Sequence, residues 1–567
     1  MFHAKVNVAY KSYYGITNSL RKKGNWTMGQ GDDAASLTSS EAKHNDILIE
    51  QTYTFANKFG KHDISAMLGM TYNKFHEETR YATKLDPLKV GDKYITSLDA
   101  ATGTTSAGGA YSEAVMISYL GRINYSYDDR YLIQLTARRD GTSKLPEVNR
   151  WGNFYSASLG WRISSEKFFD VPAINDLKLR VNYGKLGNTN IGYWDYQATI
   201  NTAPRAVLGN SDNVLIGMTQ SKLTNNNLVW ESKMTANVGL DLLAFRSRFS
   251  FAAEWFYSKS TDLLVYLPVL HTAGNEGGSP AVNAGSLRNT GFELEFGWND
   301  RKGDFTYAAS LNLSHVNNKI LDLGYGQTVY NTSLAKSEIG KPLGIWYLYE
   351  GIGIFQTEEE VAMHTNSEGK IIQPDARPGD IKYMDYNDDG IISSEDRHKV
   401  GSPWPWLEMG LNISLAYKGI GLNISGYGRF GQTVYNGAMA TAADFANNQN
   451  NFNGLKPWTQ ENPSVDRPRI VYGDTRNSRA DQTRWLEDGS FFRFSDIALS
   501  YSFPSSLISK IGFEQIKISV VGKNLLTFTK YSGLDPEFAD GGIYQIGYDG
   551  CSFPNPRSVS FGLTFTF

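Results

Sequence analysis

A single cysteine, Cys551, in 567 residues leaves no internal disulfide framework to staple the chain. It has no histidine near it in sequence and reads as a buried or loop thiol rather than a nucleophile. No apolar run approaches the ~18 residues that a membrane-crossing helix needs. Mean hydropathy is only -0.38. Charge of one sign is lacking as well: 55 Lys and Arg against 58 Asp and Glu give a formal net charge of -3, which excludes the basic surplus of a nucleic-acid binder. The eight histidines are scattered, and His76-Glu77-Glu78 lacks the second histidine of a zinc-protease helix. No Ser/His/Asp set surrounds a nucleophile elbow, so the reading is of a protein that is not an enzyme. No pattern recurs at a fixed period of roughly 20–50 residues, which excludes a solenoid. The opening, Met1-Phe-His-Ala-Lys-Val, has neither the basic segment nor the apolar stretch of a signal peptide. We expect further natural sequence upstream of it.

What the chain does have is aromatics, at 13% with 33 Tyr and 29 Phe, and 55 Gly. Abundant Tyr with low hydropathy fits strands of which only every second residue meets lipid, and it fits a soluble all-β protein equally well. The alternation is more specific. Leu407, Met409, Leu411, Ile413, Leu415 and Tyr417 share one face, and Glu408, Gly410, Asn412, Ser414, Ala416 and Lys418 the other. After Lys418-Gly419, residues Ile420, Leu422 and Ile424 alternate with Gly421, Asn423 and Ser425. A period of two means strands, and a two-residue link means a hairpin. A face this apolar backed by one this small and polar is what lipid outside and water inside require.

The same unit recurs at 2–11, 45–58, 62–76, 113–127, 129–139, 151–163, 174–185, 229–243, 245–258, 286–298, 303–318, 404–417, 420–432, 489–503, 514–528 and 555–567. The connections between these sixteen strands alternate short and long from residue 45 onward. The long ones include 77–112, 191–227, 319–403, 433–488 and 529–554. Short turns at one rim and long loops at the other are the pattern of an outer-membrane barrel, and the closing run Val559 to Phe567 ends it on an aromatic residue. The expected fold is therefore all-β, a transmembrane antiparallel β-barrel with its long loops outside the cell.

An ordered set of phrases accompanies these strands. It includes Arg138-Arg-Asp-Gly-Thr-Ser143, Asn149-Arg-Trp-Gly152, Gly187-Asn188, Trp230-Glu231 and Arg288-Asn-Thr-Gly-Phe-Glu293. Ser490-Phe-Phe-Arg493, Asn524-Leu-Leu-Thr-Phe528, Asp535-Pro-Glu537 and Pro554-Asn-Pro-Arg557 complete it. Together they resemble the C-terminal barrel of the SusC/RagA-type TonB-linked outer-membrane proteins, over nearly the whole of residues 1–567. The resemblance implies a 22-stranded barrel in the outer membrane of a Gram-negative bacterium that imports glycan or peptide fragments. It implies a SusD-like surface lipoprotein as a lid, an upstream plug, and energy from TonB. About sixteen strands against 22, with no plug, TonB box or signal peptide in sight, implies a C-terminal portion that cannot transport unaided. The alternatives are a complete 16-stranded passive porin-like channel and an extracellular β-type adhesion module.

The best chemical motif is the acidic turn inside 319–403. It sets Asp385, Asn387, Asp389, Gly390 and Asp396 at positions 1, 3, 5, 6 and 12 of a calcium loop, with Ile391 offering its carbonyl and Ser393 acting through water. Asp396 replaces the usual bidentate Glu, and no helices flank the loop; an Asx-turn without metal is the competing reading. Gly426-Tyr-Gly-Arg-Phe-Gly431 matches a dinucleotide pattern, but it lies inside an alternating strand and opens no helix, so its glycines are read as serving close packing. Trp346, Tyr347, Tyr349, Trp404, Trp406, Trp458 and Trp485 are read as interfacial girdle, with sugar stacking as the alternative. Arg493 is expected to face the lumen.

Overall fold

The computed structural model describes residues 1–23, 34–202, 204–207, 214–266, 279–326, 329–442, 456–474, 476–538, 542 and 545–567. Residues 443–453, rich in Asn and Ala and of low complexity, lie outside the described residues. The chain divides into two compact units. Unit 1 is Met1–Trp161, Asn182–Thr235 and Ser260–Ala284; unit 2 is Arg162–Val181, Ala236–Lys259 and Gly285–Phe567.

Sixteen strands form one sheet in strict chain order, from Phe2–Arg21 to Ser558–Thr566. The paired neighbours run antiparallel, as between Ser36–Phe59 and His62–Leu85, Leu407–Tyr417 and Ile420–Phe430, or Phe491–Ser502 and Gln515–Thr529. All sixteen expected strands are present. Several are longer than the alternation indicated: Phe2–Arg21, Ser36–Phe59, His62–Leu85 and Thr105–Tyr127 absorb much of the chain between the expected strands 2–11 and 45–58 and of the long connection 77–112. Beyond the apolar band both faces of a strand are polar, so the period of two fades while backbone pairing continues.

The short links are tight turns. Gly60, Asp128 with Asp129, Phe245 to Ser247, Gly303, and Lys418 with Gly419 all have positive φ, as hairpin turns matched to strand twist require. At Gly419 the requirement is doubled: φ is +88°, and a Cβ would sit 2.5 Å from the Ser502 carbonyl oxygen. The alternation of short and long connections holds except in one place. The connection 163–173, on the short side, is longer than 143–150 on the long side, and each carries one 3-10 turn, Ile163–Ser165 and Glu147–Asn149.

The two faces of the sheet differ as the alternation demands. In unit 2, Glu293 faces Ser314, Ser314 faces Glu408 and Glu408 faces Arg429, while one residue along Leu294, Leu313 and Met409 stand in register on the opposite face. Among the described residues, none covers this apolar face. Leu499, Val520 and Phe561 stand in register at 51%, 39% and 81% exposure. In unit 1, Leu68, Ile123 and Leu135 are likewise exposed. In water, contiguous apolar surface of this extent is a liability; in hydrocarbon it is the required surface.

Buried apolar side chains gather in the connections. In unit 1 Leu145, Phe154, Ile191, Leu228, Trp230 and Ala281 form one core, with Phe154 edge-on to Trp230 at 5.3 Å. In unit 2 the connection expected over 319–403 runs from 323 to 406 and is folded. Val329–Asn331, Ala335–Glu338, Ile345–Leu348 and His398–Gly401 make a four-stranded sheet, and Gly351–Ile354 pairs with Ile381–Tyr383. Thr433–Asn436 joins Leu486–Asp488 and Tyr548–Asp549 in a third small sheet, which ties connection 431–490 to 530–557. Trp346, Leu348, Tyr435 and Trp485, nearly inaccessible to solvent, pack where these elements meet.

The face assignment is open to direct test. Leu411 lies mid-strand opposite Leu311 on the apolar face, and Asn412 faces Ser310 on the polar face. Leu411→Arg is expected to lose about 2–4 kcal/mol of stability in a bilayer, whereas Asn412→Arg should cost little. Urea unfolding in lipid vesicles reads the difference; equal losses would reverse the assignment.

Candidate functional site

The polar face of unit 2 holds a cavity of about 490 Å³, lined among others by Arg180, Glu254, Glu295, Asn312, Glu408 and Arg429. Strand register sets these side chains on one side, and ion pairs fix most of the charges. Arg429 lies 2.8 Å from Glu408. Arg180 pairs with Glu254 and, at 3.1 Å, with Asp241, which also holds Lys178 at 2.9 Å. Asn237 Nδ2 donates to the other Glu254 oxygen at 2.6 Å. Such a wall can solvate a polar cargo or a polar protein surface.

Where the sheet meets the connections, Arg493 is 2% exposed. Register places it between Tyr427 and Thr527 on the polar face, as expected. Its guanidinium binds Asp535 and, at 3.0 Å, Glu537; its Nε donates to Thr527 at 3.1 Å. The Tyr427 hydroxyl donates to Glu537. The Asn555 backbone N–H donates to Asp535 at 2.9 Å and its Nδ2 to Glu537 at 3.1 Å. Connection 530–557 is thereby clamped to the sheet at both ends. Reading the residues singly did not find this cluster. The signal lay in the phrases Ser490 to Arg493, Asp535 to Glu537 and Pro554 to Arg557, which the fold brings together.

In the acidic turn, Asp385 accepts from the backbone N–H groups of Asp389 at 3.2 Å and Gly390 at 2.8 Å. Asn387 Oδ1 accepts from Asp389 at 3.3 Å, and Asp389 accepts from Ile391 at 2.9 Å. Gly390 takes φ +76°, the sharp bend at the sixth position. Asp396 is wholly buried and binds the N–H groups of Tyr386 at 2.8 Å and Ser393 at 2.6 Å; with Ser393 it forms the capping box of the turn Ser394–Asp396. Lys370 Nζ donates to the Asp389 carbonyl oxygen at 3.1 Å. Ile391 is half exposed. These are Asx-turn bonds, and among the described residues no three His, Cys, Asp or Glu side chains converge as a metal cluster. Asn387 Nδ2 donates to Asp389 at 2.9 Å and to Glu395 at 3.3 Å, so an amide N–H answers these carboxylates.

The aromatic residues divide differently from the girdle reading. Trp346, Tyr349 and Trp485 are buried inside the folded connections, where Trp346 Nε1 donates to the Thr433 carbonyl at 2.7 Å and Trp485 Nε1 to the Arg479 carbonyl at 3.0 Å. Arg479 stacks on Tyr349 at 3.5 Å. Trp458 donates to Gln356 at 2.9 Å, and Trp406 alone of the set is fully exposed, at 62%. Residues of the dinucleotide-like pattern lie in the strand Ile420–Phe430, and no helix follows directly. A Cβ on Gly428 would lie 2.5 Å from the Phe491 carbonyl oxygen, which explains the glycine by packing. Cys551 is exposed in a loop.

Asp380 anchors connection 323–406 to 431–490. Arg469 binds it through Nε at 2.6 Å and Nη2 at 3.0 Å, and Asn477 Nδ2 donates at 2.8 Å. Burial alone would raise this carboxyl, but the hydrogen bonds from Arg469 and Asn477 hold it below the usual carboxylate range. A depressed folded pKa gives stability that is present above the unfolded value and lost as pH falls through the folded one. The Ile381 N–H, bonded to Asn477 at 2.9 Å, is expected to lose hydrogen-exchange protection below about pH 4. Asp380→Asn should weaken that protection at neutral pH and remove its acid dependence; an unchanged acid limb would show that another group controls it.

Comparison with known proteins places this geometry. The chain is 28% identical over 587 residues to TonB-dependent receptor P3 of Formosa agariphila, covering 98% of this chain and 56% of that protein. It is 28% identical over 480 residues to TonB-dependent receptor SusC of Bacteroides thetaiotaomicron, covering 80% of this chain and 44% of that protein. The chain thus spans about half the length of the curated relatives it matches. A solved structure of the RagAB peptide transporter superposes with a TM-score of 0.82 at 22% identity, covering 100% of this chain and 60% of that one. Residues 3–345 match the family described as TonB dependent receptor-like, beta-barrel; with that match over more than half its length, the chain belongs to this family and has its barrel fold.

Proposed function

We propose that this chain is the barrel portion of a TonB-dependent importer in the outer membrane of a Gram-negative bacterium. Its cargo is glycan or peptide fragments, its lid a SusD-like surface lipoprotein, and its energy comes from TonB acting through a part of the protein outside this chain. The observation that carries the reading is the sheet itself, with a charged wall on one face, a bare apolar face on the other, and connections on alternate links folded into small domains. A passive channel has no use for such elaborate covers, whereas a receptor that must recognise cargo does. The relatives named TonB-dependent receptors support the TonB-driven part of the reading.

In this reading the polar wall passes hydrated cargo, and the folded connections meet the lipoprotein. We further propose that the turn from Asp385 to Asp396 takes a calcium ion that stiffens this surface, held by Asp385, Asn387, Asp389, the Ile391 carbonyl and Asp396.

Two tests follow. Deleting the gene should abolish uptake of one class, labelled oligosaccharides or peptides, and restoring it in a strain without TonB should fail to recover uptake. Uptake that persists without TonB would favour the passive channel. For the metal, calorimetric titration of the whole detergent-solubilised protein with calcium should give a Kd on the order of 10⁻⁴–10⁻³ M, the range of weak extracellular sites. Asp389→Ala should abolish the binding; a wild-type protein that takes up no calcium leaves the turn as an Asx structure only.

A further inference from the structure

Connection 431–490 buries positive charge that its carboxylates leave uncompensated. Arg479 is answered by Asp481 at 2.9 Å, and Arg469 by Asp380. Arg467 and Arg484 have no such partner among the described residues. Arg484 lies over the ring of Trp485 at 4.6 Å, and its Nη1 is buried with no hydrogen-bond partner. Arg467 Nη1 contacts the Met439 sulfur at 3.9 Å. Met439 packs against the core that contains Trp485, so both guanidiniums lie beside the same core. Both keep part of their surface in solvent.

Two like charges placed this way repel, and a buried guanidinium N–H without an acceptor carries its own desolvation cost. Burial, followed by the charge of Arg467, pulls Arg484 down to about 10. An arginine pair also presents the forked donors that match planar or tetrahedral oxyanions. We propose that Arg467 and Arg484 form an oxyanion-binding site on the folded connections, filled by a carboxylate or sulfate group of a ligand. The site stands apart from the charged wall of the sheet and from the acidic turn, and it does not depend on the transport reading.

The test uses the whole protein in detergent with inorganic sulfate as probe, at constant ionic strength maintained with chloride. Sulfate should raise the melting temperature and bind with measurable heat. Arg484→Gln should weaken binding about tenfold or more, and Arg467→Gln similarly, while Arg484→Lys retains part of it. Arg484→Gln should not lower the melting temperature without sulfate, because it relieves repulsion; this separates loss of a site from loss of the fold. Glucuronate and an N-acetylated dipeptide carboxylate then distinguish a sugar acid from a peptide terminus as the source. No sulfate-specific stabilisation, or equal stabilisation in the double variant, overturns the proposal.

Discussion

The structure depends on one constraint: in hydrocarbon every backbone N–H and C=O must find a partner within the protein. Strands meet it only by pairing along their whole length. Once paired, each strand turns alternate side chains to opposite solvents, and residue choice follows. Leu294, Leu313 and Met409 align on one side while Glu293, Ser314 and Glu408 align on the other, because register is shared across the sheet. A one-residue slip would bring the glutamates to the apolar face. The hairpin turns guard against that slip, and Gly419 is a clear case, since any side chain there would strike the Ser502 carbonyl.

A sheet of this kind has no interior of its own, so the chain builds conventional cores in its connections. Trp346, Tyr435 and Trp485 are as inaccessible as the core of a soluble domain, and their polar atoms are satisfied by nearby carbonyls. Replacing a tryptophan in such a position by alanine typically costs about 3–5 kcal/mol. That stability makes the connections rigid surfaces rather than floppy covers. Rigidity favours recognition, because less conformational freedom is lost when a partner docks.

Sequence legibility tracked this division. Sixteen strands and their order could be read because lipid imposes a period of two over the apolar band, broken only locally at bulges such as that between Phe494 and Asp496. Strand ends could not, since outside that band pairing leaves no mark on side-chain polarity; residues 77–84 continue a strand although they read as loop. The folded connections were opaque for another reason. Trp346 and Trp485 lie 139 positions apart and become neighbours only through small sheets whose strands are three or four residues long, too short to show a period. The acidic turn was legible as a local motif because the bonds among its own residues, Asp385 to Asp396, span at most ten positions.

The family phrases sit between these extremes, and the structure gives them a physical meaning. Gly152 and Gly187 lie against the Phe154 ring, and Trp230 donates to the Arg150 carbonyl at 3.2 Å, so three separate phrases meet in one core of unit 1. Arg493, Asp535, Glu537 and Asn555 do the same by charge in unit 2. Breaking one partner of such a buried pair costs about 3–5 kcal/mol, because the other charge is left stranded. These phrases therefore hold the places where long connections leave the sheet. With the bases of the connections clamped, residues between the clamps can change without disturbing the register of the sheet.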